Sequence, residues 1–244
     1  MSAGDSATAG LEVSVLGTFR FWAEGSALPA VLGGSQRLLA LLSLRDRALM
    51  RASVAGTLWP ESTEEHAYSS LRSALGRLSR LTRGAVMVTP LDLCLAQNVV
   101  VDIRESRALA HRLLHPGATL SDSDLSAPAI AALSLDVLPD WYDDWVLVEA
   151  EEWRQLRLHA LEALADRLLN EGRFGEATGA ALAAVRAEPL RESARVLVIR
   201  IHLTEGNQSE ALAEFSRYRA LLRAELGLEP TPRLWELVAD LQRR

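Results

Sequence analysis

Four positions in the C-terminal half recur at a fixed interval. Leu169, Gly172, Glu176 and Ala177 return as Leu203, Gly206, Glu210 and Ala211, each 34 residues on. In a region whose apolar residues follow helical spacing, an interval of that length specifies paired helices stacked as repeats. Glycine lets the chain reverse between two helices, and alanine lets the pair approach closely. Pro189 ends the first unit and Phe215 fills the large apolar slot of the second. From about Trp141 to the end the pattern is helical, and such repeats bury their faces only against neighbours.

The N-terminal part reads differently. Residues 11–32 alternate and are rich in Val, Phe and Trp, as LEVSVLG, TFRFWAEG and then ALPAVL, which reads as a small antiparallel meander. After Gly33-Gly34, Ser35 is the expected N-cap of a helix to about Arg45. A short helix follows over Arg51–Leu58, ended by Trp59-Pro60 because proline disfavours helix in the residue before it. The spacing then predicts a third helix from about Thr63 to Leu81. VMVT and LCLA read as a hairpin, Asp102 as a cap for a helix over 103–114, and residues 115–137 as a linker or irregular connection.

Composition sets bounds on function. The single cysteine, Cys94, cannot form an internal disulfide, and a reducing cytoplasm is the expected setting. The segment MSAGDSATAG has neither a basic residue nor an apolar core and is expected to be a short tail, not a signal peptide. No apolar run reaches the roughly 18 residues of a membrane span. There is no lysine, so a Walker-type phosphate loop is excluded. Net charge is −6, yet residues 35–84 hold eight arginines against four acids. The acid lies mostly beyond residue 111, so the two parts are expected to have different partners.

The third helix concentrates the basic charge. Ala67, Leu71, Ala74, Leu75, Leu78 and Leu81 form one apolar stripe. The opposite face presents Ser69, Arg72, Ser73, Gly76, Arg77 and Arg80, with no acid. Arginines suit phosphates and guanine edges, and small residues allow close approach to a groove. A short helix, a turn and such a helix make a helix-turn-helix.

The segments GGSQRLLALL, LWPE and AYSSLRSALGRLSR resemble the winged-helix domain of the SARP family, the Streptomyces antibiotic regulatory proteins, related to the DNA-binding domains of OmpR-type response regulators. PLRE, EALAEFSRYR and ELGLEPTP, with LPDWYDDWVLVEAEEWRQLRLHALEALA and RLWELVADL, resemble the bacterial transcriptional activator domain that follows it. The similarity runs from about residue 11 to 241. It implies a transcriptional activator that binds direct repeats near promoters as pairs and recruits RNA polymerase to antibiotic-cluster genes. By position the third helix would be the recognition helix, with Arg72 and Arg77 at the groove, Arg80 on phosphate, and Ser69, Ser73 and Tyr68 adding hydrogen bonds. Arg37, Arg51 and Ser53 would clamp the backbone. The chain departs from the family at the wing, where members carry a Gly-Tyr pair and basic residues. Here the segment is VTPLDLCLA, with no arginine between Arg83 and Arg104.

The expected fold is thus mainly α: an N-terminal winged helix-turn-helix with a small β-sheet over 11–101, then an all-α tetratricopeptide-like helical repeat domain over 102–244. The expected function is sequence-specific DNA binding in the cytoplasm, at the nucleoid, with promoter DNA and RNA polymerase as partners, self-association on DNA, and no cofactor, metal or catalysis. His111 and His115 stand four apart, which could hold a metal on a helix, but Pro116 follows and no third ligand is apparent. The sequence shows no GxSxG, HExxH or glycine-rich phosphate loop. Trp141 and Trp145, one helical turn apart, are candidates for docking between domains. The rival reading is an interaction module whose degenerate winged helix does not read DNA. A third is a ligand-sensing regulator, for which the sequence picks out no pocket.

Overall fold

Strand β1 (Leu11–Ser14) is the centre from which the N-terminal sheet is built. It pairs antiparallel with β2 (Arg20–Ala23), bringing Leu11 opposite Ala23 and Val13 opposite Phe21. β2 pairs in turn with β3 (Ser26–Ala27). The computed structural model describes residues 10–23, 25–27 and 33–242, without the side chains of 80, 81 and 240–242. The expected N-terminal tail and most of the third apolar run of the meander lie outside the described residues.

Next come α1 (Gly34–Ser43), β4 (Leu49–Met50), α2 (Arg51–Leu58), α3 (Glu64–Gly76) and α4 (Arg80–Gly84). Then follow β5 (Val86–Val88), β6 (Asp92–Leu95) and β7 (Val99–Val101). β5 and β6 form the expected hairpin, and β4 joins it to give a second sheet in the order β4-β6-β5. β7 runs parallel to β1, completing the order β3-β2-β1-β7. Two-residue β4 and three-residue β7 carry too short an alternation for sequence to mark them.

The remaining elements are helical. They are α5 (Asp102–Leu114), α6 (Ala127–Ser134), α7 (Asp144–Asn170), α8 (Phe174–Ala187), α9 (Glu192–Glu205), α10 (Gln208–Leu226) and α11 (Pro232–Gln242). Helix α6 stands inside the stretch expected to be a linker or irregular connection. Ser126 caps it by accepting a hydrogen bond from the Ala129 amide, and Pro128 suits the first helical turn.

The chain divides into two compact units. The first holds the residues through Glu105 together with Asp136–Glu152; the second holds Ser106–Leu135 and Trp153 onward. In the first, Leu11, Val13, Phe21, Leu38, Leu41, Leu71, Leu93 and Val101 are buried. Asp102 joins the N-terminal sheet to α5: its carboxylate accepts from the Ser14 hydroxyl and from the amides of Val15, Leu16 and Ile103. Residues 136–152 continue this unit through an isolated bridge between Leu16 and Val137 and ring contact of Trp141 with Phe19 at 6.2 Å.

In the second unit the 34-residue recurrence maps onto helix turns. Gly172 follows α7 and Gly206 caps α9, both at positive φ, which a side chain would disfavour. Ala177 and Ala211 are fully buried where successive helices meet. Phe215 sits in a cluster with Val196, Ile199, Tyr218, Leu234 and Val238, and its ring meets Trp235 edge-on at 4.8 Å.

Candidate nucleic-acid interface

The interface is built on α2, a turn and α3. Helix α2 stops at Leu58, and Trp59 leaves helical geometry at φ −134, as its position before Pro60 requires. Thr63 caps α3 by accepting from the His66 amide at 3.4 Å. Glu64 and Glu65 occupy the first turn, where the positive helix end favours them.

Ala67, Leu71 and Ala74 are the buried stripe of α3. Ser35, expected as an N-cap, lies instead inside α1, and its hydroxyl donates to the Ala74 carbonyl at 2.7 Å. Gly33 precedes α1 with no side-chain cap. The two helices approach closely at Gly34: a Cβ there would lie 3.0 Å from the Trp59 ring and 3.5 Å from the Ala74 methyl. This frame fixes which face of α3 points outward.

That face carries Ser69, Arg72, Ser73, Gly76 and Arg77, all exposed. Arg72 and Arg77 have no carboxylate partner among the described residues. The third helix ends at Gly76, however, and not at Leu81. Arg77 is its C-cap, and Arg80 opens the separate helix α4. Ser79 explains the break: its hydroxyl accepts from the Thr82 amide at 3.3 Å and so starts a new helix. Gly76 adds low helix propensity. The Arg83 guanidinium closes α3, donating to the carbonyls of Gly76 at 3.1 Å and Leu75 at 3.4 Å. The three arginines of the sequence reading therefore do not share one continuous helix, and the Arg80 side chain lies outside the described residues.

The other expected residues take several positions. Tyr68 is half-buried and lines a groove of about 330 Å³ with Ala55, Gly56, Trp59 and Ala67. One helical turn before Arg72, it borders the arginine face. Ser53 is exposed in the first turn of α2. Arg51 braces the β5–β6 turn, its amide donating to the Leu91 carbonyl at 2.9 Å and its guanidinium to that of Thr89 at 3.4 Å. Arg37 is ion-paired with Asp143, and Arg45 with Glu149. Arg104 pairs with Asp46 at 2.8 Å. A charge count over residues 35–84 could not show that acids at 143 and 149 come back to neutralise two of its arginines.

The β5–β6 hairpin is ordered by Thr89, whose hydroxyl accepts from the amides of Leu91 and Asp92 at 3.2 and 2.9 Å. Its exposed side chains include the apolar Met87, Val88 and Leu91. Among the described residues no group of three His, Cys, Asp or Glu is placed to hold a metal ion. The His115 ring nitrogen accepts from the Gly117 amide instead. No helix among them is long and apolar enough to cross a membrane.

Residues 100–242 match the bacterial transcriptional activator domain. The chain belongs to that family. Similar proteins include the regulatory protein AfsR of Streptomyces coelicolor, 30% identical over 246 residues, covering 93% of this chain and 24% of the relative. AfsR of Streptomyces griseus is 31% identical over 240 residues, with the same coverages. The chain thus spans about a quarter of the length of these curated relatives. A solved structure of Mycobacterium tuberculosis EmbR in complex with a low affinity phosphopeptide superposes with a TM-score of 0.70 at 22% identity. It covers 96% of this chain and 65% of that one. The likeness establishes the fold: a small N-terminal sheet with a winged helix, then a helical region. These matches support the SARP-type resemblance, and the two AfsR relatives are named as regulatory proteins.

Proposed function

We propose that this regulator binds double-stranded promoter DNA through α3 and activates transcription, with a DNA-binding domain over 11–101 and an activator domain over 102–244. What carries the reading is the exposed face of α3, where Arg72 and Arg77 lack a carboxylate partner while Arg37, Arg45 and Arg104 are each paired. An unpaired guanidinium is free to take a guanine edge or a phosphate. Ser69, Ser73 and Tyr68 would add hydrogen bonds, and Arg80, Arg51 and Ser53 backbone contacts. Arg37 would reach phosphate only by exchanging Asp143 for it.

Protomers would pair on direct repeats, and the helical, tetratricopeptide-like domain would carry that pairing and contact with RNA polymerase. The regulated genes would be a secondary-metabolite cluster, and the protein would act at the nucleoid without catalysing a reaction. A second reading has one observation in its favour: a wing with exposed Met87, Val88 and Leu91 and no arginine fits an interaction module that does not read DNA.

The test is a gel-shift titration of neighbouring promoter DNA at two salt concentrations with competitor. Salt-sensitive binding that survives competitor is expected. No shift at micromolar protein, with and without RNA polymerase, would favour the interaction module.

A further inference from the structure

Apart from Met1, every sulfur atom of the chain gathers on one face of one small sheet. The sequence has three methionines and one cysteine. In the sheet ordered β4-β6-β5, Leu93 and Leu95 of β6 are buried, so Asp92 and Cys94 face outward. Met87 of β5 is directly opposite Cys94, and Met50 of β4 is directly opposite Asp92. Residues directly opposite share a face. Their Cβ atoms stand about 5 Å apart, and a diagonal neighbour such as Met50 to Cys94 about 7–8 Å. A methionine side chain has three rotatable bonds and spans such a gap.

These methionines are not core. Met50 is 66% exposed and Met87 52% exposed, so neither serves the usual task of filling an interior gap. Cys94 is half-buried and carries no disulfide. The one carboxylate on this face, Asp92, is engaged by the Thr89 hydroxyl. What the face offers a ligand is one thiol flanked by two thioethers.

We infer that this face binds one soft monovalent cation, Cu(I) by preference. Thiolate and thioether donors select Cu(I), whereas Mg and Ca ions require oxygen donors. Zinc takes four ligands, with nitrogen or thiolate favoured, and this face has one thiol and no histidine. On binding, the Cys94 Sγ–H bond breaks, its proton goes to solvent and an Sγ–Cu bond forms. The sulfurs of Met50 and Met87 donate lone pairs, and copper stays at +1 throughout. One positive charge enters as one leaves, so the local charge is unchanged. The site is separate from the arginine face of α3, and it stands or falls independently of DNA binding.

The experiment titrates the reduced full chain with Cu(I), without oxygen, against a colorimetric Cu(I) chelator. One copper withheld per chain is expected, with one proton released. C94S should abolish retention, and M50L and M87L, each removing a direct donor, should each weaken it by about tenfold or more, no less than loss of an outer-shell partner costs a metal site. Leucine keeps the volume of methionine, and unchanged circular dichroism would show that each variant folds. The inference is overturned if C94S retains copper like the parent. It is equally overturned if the double variant M50L/M87L matches the parent, or if copper saturates at half per chain, bridged by two copies.

Discussion

Arginine does opposite work in the helical unit and on the outer face of α3. In the helical unit it ties helices to one another and to their connections: Arg191 reaches Glu162 at 2.7 Å, Arg200 reaches Asp166 at 2.8 Å and Arg219 reaches Glu229 at 2.8 Å. Arg195 and Arg217 both hold the buried Glu214. Burial opposes ionisation of that carboxyl, but the two guanidiniums outweigh it and hold it below the usual range. On α3 the same residue type stands in solvent with no carboxylate beside it. A chain without lysine uses one cation for both purposes, and the partner decides which. A paired arginine stabilises the fold, while an unpaired one is available to an anion from outside.

The largest effect should come from breaking the buried group. Glu214→Gln leaves Arg195, 11% exposed, without its countercharge. A loss of about 3 kcal/mol is expected by chemical denaturation, since removing one partner of a buried pair strands the other. Survival of full stability would show that these pairs do not hold the helices.

On the other side of the contrast, Arg72→Ala and Arg77→Ala should each lose about 1–3 kcal/mol of DNA affinity while changing stability by less than about 0.5 kcal/mol. Gel shifts and thermal melts on the same preparations measure both. If the melts move and the shifts do not, α3 is a structural surface.

Asp124 gives a pH signature. The Arg112 side chain first, then the Ser121 amide at 3.0 Å, hold its carboxyl down at about 2. A depressed folded pKa stabilises above the unfolded value of about 3.9, and that contribution is lost as pH falls from there through the folded pKa. Asp124→Asn should therefore cost about 1–2 kcal/mol near neutrality. It should also flatten the fall in stability between about pH 4 and pH 2. An unchanged acid profile would count against this assignment.

The smallest effect is expected at Arg200→Ala. Its pair with Asp166 is 38% and 45% exposed, so less than about 1 kcal/mol should be lost, and less still in high salt. A larger loss would mean that exposed pairs also carry the helical unit.

Much of the helical part was legible because its signals are local. The 34-residue recurrence marks real turns at Gly172 and Gly206, and Trp59-Pro60 ends α2 as its chemistry demands. The outward exposure of Ser69, Arg72, Ser73 and Arg77 followed from helical spacing alone. The break after Gly76 was harder to see, since the apolar stripe continues through Leu78 and Leu81 in sequence. There a serine cap at Ser79 outweighs periodicity. Helix α6 is hidden in the sequence because Ser, Pro and Asp mark both loops and helix starts.

By itself, the sequence determined the mainly helical fold, the hairpin, the α2–turn–α3 segment and the absence of a lysine-bearing phosphate loop. These depend on residues a few positions apart. Only the tertiary structure decided that Asp143 and Glu149 return to Arg37 and Arg45, that Ser35 anchors α1 to Ala74, and that Met50, Met87 and Cys94 share a sheet face. Each of these joins residues far apart along the chain. Coulombic attraction, a buried hydroxyl's need for an acceptor and strand register all act through space, and the order of residues does not display them.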